Sequence, residues 1–261
     1  MTTQNDFEWS STKQLSFIQV LLAFAIPSAL AFLGFRVVLP RIVENGTPVM
    51  IAWPSIAAIM LFGFVIAAFF LLRSEARQLN IPLATRMCLK NLSLKQWSTY
   101  GAILIIGFIL SAGAAQIVEP FMKITGLTIP DYMPFFLNPA INSMEADPAI
   151  LSPGLPLKGH FLLIPLMGIT LILNILAEEL YFRAWMLPKM SKYGNGGWIA
   201  SGALFALYHT FQLWLFPVLL IASLTFSFVI YKSKSILPAM AGHFIANFLF
   251  TILGMLFLIL G

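Results

Sequence analysis

Long apolar stretches separated by short polar clusters fill almost the whole chain, and their lengths predict membrane-spanning helices. Leu15 to about Pro40 forms a first span, with Pro27 as a candidate kink and Arg36 placed to snorkel at the far end. Pro48 to Leu72 predicts a second span and Trp97 to Val118 a third. The fourth, His160 to Pro188, precedes the turn signal Gly194-Asn195-Gly196-Gly197, and a fifth runs on to about Gln212. Around Leu215-Phe216-Pro217 the chain must reverse tightly before a sixth span to Tyr231. Lys232 to Ser235 is a minimal turn, and Ile236 to Gly261 is the seventh span, with Pro238 suited to a helix start. The expected fold is therefore an all-α polytopic membrane helical bundle of about seven transmembrane helices, with eight as the alternative. Met1 to Gln14 reads as a polar tail, frayed or interfacial. Glu119 to Gly159, rich in Pro, Asn, Asp and Met, reads as one long loop outside the membrane, a structured cap with a short helix near Pro134 to Met144. Two regions follow: 1–159 with three spans and the 119–159 loop, and 160–261 with four.

Composition agrees with the pattern. The chain is 59% hydrophobic and 10% charged, where a soluble domain carries about 25% charged residues. The net charge of +5 does not indicate nucleic acid, because the basic residues sit in short loops between spans. With the amino terminus inside, Lys13, Arg73, Arg77, Arg86, Lys90, Lys95, Lys189, Lys192, Lys232 and Lys234 are cytoplasmic. Arg36, Arg41, Lys123 and Lys158 fall on the other face, so the positive-inside rule favours a cytoplasmic amino terminus. In the loop after the second span, Glu75 is the single acid among five cations. Cys88, the lone cysteine, sits between Arg86 and Lys90 as an ordinary cytosolic thiol and allows no internal disulfide. The first apolar run is too long, and lacks the small-residue cleavage site, for a removable signal peptide.

Against this background Ala177-Glu178-Glu179-Leu180-Tyr181-Phe182-Arg183 stands out. The seventeen residues Phe161 to Ala177 carry no charge, and no Asp or Glu follows Glu179. Ionisable groups inside a span cost about 2.5–3.5 kcal/mol each on insertion scales, which makes them functional candidates. At about 1.5 Å of rise per residue, Glu178 lies about 15 Å from Pro188 and His209 about 18 Å from Gly197; His243 and Asn247 lie about 10 and 16 Å from Ile236. Four polar groups from three helices thus share one layer, a depth suited to a site reached from the cytoplasmic side. Glu179 and Arg183, four apart, can pair on one helix face, whereas Glu178 is turned about 100° away and left for chemistry. His243 and Asn247, also four apart, offer an imidazole and an amide to a water or an oxyanion. The plainer readings are an ion pair for Glu179 and Arg183, an aromatic-belt position for His209 beside Tyr208 and Thr210, and interhelical hydrogen bonding for His243 and Asn247. His160 reads as interfacial.

Glu178-Glu179-x-x-x-Arg183, Phe205-x-x-x-His209 and His243-x-x-x-Asn247, in this order and on separate spans, resemble the motif set of the CAAX prenyl protease and bacteriocin-processing family (CPBP, also called Abi). Its members are intramembrane endopeptidases related to the type II CAAX prenyl endopeptidase. The resemblance covers about Phe161 to Leu249 and makes 160–261 the catalytic core. It implies that Glu178 activates the hydrolytic water with help from His209, and that His243 and Asn247 stabilise the oxyanion. Glu179 and Arg183 would support the site, and Phe205 would pack beside it. Members are described both as metalloproteases and as metal-independent glutamate peptidases. Glu178, His209 and His243 could form an open three-ligand zinc site, but no His-Glu-x-x-His pair is present. The metal-free form, with no cofactor, is favoured. The expected partners are the lipid bilayer and a membrane-associated protein or peptide substrate, in the plasma membrane of a bacterium. A zinc-dependent form of the protease and a non-catalytic scaffold or bacteriocin self-immunity protein are the alternatives. A proton-coupled transporter is disfavoured by the lack of internal repeats. No aspartate lies in a span, and Ser201 lacks a rhomboid-like glycine pattern, so other intramembrane protease chemistries fit poorly.

Overall fold

The computed structural model describes residues 7–142 and 146–260, and among these every regular element is helical. Five helices are long and apolar enough to cross a bilayer: α1 (Phe17–Glu44), α2 (Val49–Gln78), α3 (Leu94–Thr125), α4 (Leu163–Tyr193) and the stretch Thr210–Ser233. Its regular part is α6 (Phe216–Ser233), which follows α5 (Asn195–Tyr208). The last, α7, spans 237–260 and is widened at Phe248–Leu253. The fifth predicted span differs from expectation. Its helix stops after 14 residues at Tyr208, and the chain turns through Gln212 at φ −137° and ψ 44° into α6.

Side-chain chemistry explains where several helices begin and end. Ser16 with Gln19 and Ser93 with Gln96 form reciprocal capping boxes that start α1 and α3. Past Val118 the chain stays helical to Thr125, so the predicted loop begins later than its composition suggests. Gly126 then ends the helix at φ +71°, a left-handed position that favours glycine.

Ile59, Ile106, Ile169 and Ile172 are all more than half exposed on the outer faces. A contiguous apolar surface of this kind belongs in lipid, so this is an integral membrane protein. α4 is the central helix: half of its apolar window is buried, against 22–39% for the other four. α6 lies between α3 and α5 at close range, because glycines clear the way. A Cβ on Gly107 would come within 2.4 Å of Thr225, and one on Gly202 within 2.9 Å of the Leu224 Cα.

The loops that alternation assigns to one side meet at one end. Leu15 N–H donates to Lys189 O, Gln14 to Pro188 O, Ile236 N–H to Cys88 O and Ser235 to Lys90 O. Trp9 and Thr12 are buried there, so residues 7–14 are packed rather than a frayed tail; the start of that tail, 1–6, lies outside the described residues. At the opposite end, Gly159 N–H donates to Ile259 O and the Trp214 indole to Leu137 O. The cap's predicted helix is only the 3-10 turn Phe135–Leu137, and its continuation to Met144 enters residues outside those described. Arg36 does not snorkel outward. Its guanidinium lies 5.9 Å from the Trp214 ring with Nη1 buried.

Cys88 departs from the ordinary thiol that its basic setting suggested. It is buried, and burial pushes its pKa from 9.0 to about 11 despite nearby Arg86 and Lys234. A raised thiol pKa depletes the reactive thiolate at neutral pH. The native protein in detergent should therefore resist maleimide labelling at pH 7 and label fully once denatured; rapid native labelling contradicts the burial.

Candidate active site

In the α-helical part of α4, Thr170, Asn174 and Glu178 recur every four residues and form a polar stripe on an otherwise apolar helix. Thr170 is occupied, donating to Pro54 O of α2 and to Leu166 O. Asn174 Nδ2 donates to Glu178 Oε1 at 2.9 Å. From Glu179 to Met186 the helix widens into π-helical turns, a rare form frequently found at functional sites. Glu178 and Glu179 are both buried at this junction.

Two imidazoles converge on Glu178. His209 caps the carboxyl end of α5, and its Nδ1 lies 3.0 Å from Phe205 O. A carbonyl only accepts, so Nδ1 holds the proton and the Nε2 of the neutral ring presents a lone pair. That Nε2 is 3.7 Å from Glu178 Oε1. From α7, His243 Nδ1 lies 3.1 Å from Glu179 Oε1, and its Nε2 is 3.8 Å from Glu178 Oε2. Neither 3.7 nor 3.8 Å is a direct hydrogen bond. Asn247, one turn beyond His243, donates through Nδ2 to Asn174 Oδ1 at 3.2 Å.

The structure thus brings Glu178, His209, His243 and Asn247 together and corrects the expected Glu179–Arg183 pair. Glu179 Oε1 goes to His243 instead. Arg183 lies 3.6 Å above the Phe205 ring, and its Nε and Nη1 find no hydrogen-bond partner among the described residues. Phe205 therefore supports the site twice, through its ring under Arg183 and its carbonyl on His209. Sequence reasoning missed Asn174, whose signal was a lone carboxamide four residues before Glu178 in a charge-free run. It also missed Tyr208, buried with its ring 4.8 Å from that of His209.

These groups line a cavity of about 650 Å³ whose walls include Phe35, Trp53, Phe136, Phe211, Phe226 and Met255. The lining continues through Phe135 to Ile141 of the cap and includes nothing from residues 7–14, 79–93 or 187–194. The cavity therefore reaches the cap, whereas the sequence suggested a site reached from the side of the basic loops. As to zinc, no trio of His, Cys, Asp and Glu among the described residues is arranged to hold a metal ion. The two Nε2 atoms face different oxygens of Glu178 rather than one shared point.

A buried carboxylate thus lies between two imidazoles inside the helical bundle, beside a hydrogen-bonded pair of carboxamides. Residues 160–249 match the family described as type II CAAX prenyl endopeptidase Rce1-like, which bears out the resemblance over that stretch. The matched stretch contains all seven motif residues, from Glu178 to Asn247. No curated protein and no solved structure matches the chain.

Proposed function

We propose that the protein is an intramembrane endopeptidase that hydrolyses a peptide bond of a membrane-associated protein or peptide with a water activated by Glu178 and His209. The carrying observation is the pair of acceptors, Glu178 Oε1 and His209 Nε2, held 3.7 Å apart at the wall of the cavity. Two acceptors at that spacing can share a group that donates to both, as the two hydrogens of a water do. Its oxygen lone pair is then turned toward a carbonyl carbon in the cavity. As the C–O bond forms, Glu178 takes the proton and the carbonyl oxygen gains negative charge. His243, with Glu179 as counter-charge behind its Nδ1, and the free N–H of Asn247 supply donors to that oxyanion. On collapse the C–N bond breaks and the Glu178 carboxylic acid returns its proton to the leaving amine.

The cavity lining favours substrate entry from the cap end, and its aromatic walls favour an apolar segment. The basic loops favour a plasma-membrane protein whose amino terminus is cytoplasmic. A non-catalytic scaffold or immunity protein would need no paired base and oxyanion donors, so the complete set supports hydrolysis. The test is to compare membranes of cells carrying the wild-type protein and Glu178→Gln, identifying by mass spectrometry peptides that accumulate uncleaved only in the variant, then to cleave them with purified protein. Identical peptide profiles oppose the proposal.

The same assay addresses the metal. Because the donor set does not converge, cleavage should survive prolonged dialysis against a strong chelator. Loss of activity on chelation, restored by zinc, would favour the metalloprotease form.

A further inference from the structure

We infer that Asn174 is a positioning residue of this site, locking the carboxylate of Glu178 and the carboxamide of Asn247 into one orientation. The inference rests on the hydrolase reading and extends it to a residue outside the three motifs. Asn174 sits four residues before Glu178 in the last regular stretch of α4, so its geometry is set by α-helical backbone rather than by the widened turns that follow. Its two polar ends face opposite ways: Nδ2 donates to Glu178 Oε1 at 2.9 Å, and Oδ1 accepts from Asn247 Nδ2 at 3.2 Å. Flipping the amide would set its oxygen against a carboxylate oxygen and its NH₂ against another NH₂. Both contacts would turn repulsive, so the network admits a single assignment.

That assignment has consequences at both ends. Glu178 Oε1 is the oxygen that faces His209, and the Asn174 bond fixes its rotation without occupying Oε2. At the other end, Asn247 uses one N–H on Asn174 and keeps its second for the cavity. Base and oxyanion donor come from α4 and α7, and Asn174 is the side chain that connects them directly. The plain alternative is ordinary interhelical glue, for which hydrogen bonds inside membranes contribute modestly to stability. Glue would set helix docking alone, and its loss would lower stability without separating kcat from KM.

The full-length protein in detergent micelles, assayed on a peptide substrate from the comparison above, tests this. Asn174→Leu removes both contacts at similar volume, and Asn174→Ala removes them without adding a bulky or ionisable group. Both should lower kcat about tenfold to hundredfold, as loss of a hydrogen bond to a charged group implies, with KM and melting temperature nearly unchanged. Because Asn174 and Asn247 act through one contact, Asn174→Leu combined with Asn247→Leu should be little worse than the more damaging single variant. Unchanged kcat, a kcat loss matched by lost stability, or multiplying effects in the double variant would each overturn the inference. If Asn174→Leu does not fold, Asn174→Ala decides alone. Glu178→Gln run alongside separates the two levels. If it is inactive while Asn174→Ala is normal, only the positioning role fails; if it is fully active, the hydrolase reading fails and this inference with it.

Discussion

Glu178→Gln is expected to reduce kcat by about 10²–10⁴, the range that a general base contributes, while leaving insertion and thermal stability nearly intact. The substitution is almost isosteric, and a carboxamide oxygen can still accept from Asn174 at the position of Oε1. What disappears is proton affinity. A glutamine cannot take the proton of the attacking water or return it to the leaving amine. His243→Ala should give a loss of similar size by another route, since it removes a donor to the oxyanion and strips Glu179 of its partner at 3.1 Å. His209→Ala should cost less than Glu178→Gln, because Glu178 would still hold the water. The double variant Glu178→Gln/His209→Ala should be little worse than Glu178→Gln alone, as expected when two groups act on one water. Single-turnover cleavage of a fluorogenic peptide, with circular dichroism as a folding control, reads all four. Retained activity in both Glu178→Gln and His243→Ala leaves no role for the constellation in hydrolysis.

The features that sequence made legible rest on rules with few exceptions in a bilayer. A run of about twenty apolar residues has little choice but to be helical, since every backbone polar group must be satisfied within it. The motif residues were visible because charge in such a run is costly, and their depths were additive along regular helices. Where regularity fails, so does the inference. The Glu179–Arg183 pairing assumed an α-helical period, but the helix widens from Glu179 to Met186 and His243 reaches Glu179 from another helix. The break at His209 carries no glycine or proline to announce it; non-local contacts such as Thr210 to Ser28 O and Trp214 to Leu137 O hold it. How far the cavity extends depends on how the cap folds, which no local pattern encodes. Arg86 was hidden for a related reason: an arginine in a basic loop reads as solvated, and its burial follows only from the partner that the fold supplies.

That partner, Glu75, carries the second large prediction, which concerns stability. Arg86 is fully buried, and its Nε and Nη2 donate to Glu75 Oε2 at 2.8 and 2.5 Å. Its Nη1 donates to Ala184 O at 2.6 Å and its Nη2 also to Trp185 O at 3.3 Å, both carbonyls of the widened part of α4. Glu75 Oε1 meets Lys189, itself buried, and accepts from Trp185 Nε1 at 3.0 Å. One carboxylate at the end of α2 thus neutralises two buried cations and clamps the segment that follows Glu178. Glu75→Ala would leave Arg86 and Lys189 close together without a counter-charge, and removing one partner of a buried ion pair costs about 3–5 kcal/mol. Arg86→Met should cost less, because Glu75 keeps Lys189 and only the two carbonyls and half the carboxylate lose their donor. Arg86→Lys should not restore stability, since a single ammonium cannot reach a carboxylate and two carbonyls in fork geometry. Thermal unfolding in detergent should therefore rank wild type above Arg86→Met, and Arg86→Met above Glu75→Ala. Equal melting temperatures for Glu75→Ala and wild type would mean that solvent already screens the cluster, and that α4 holds its widened turns without the clamp.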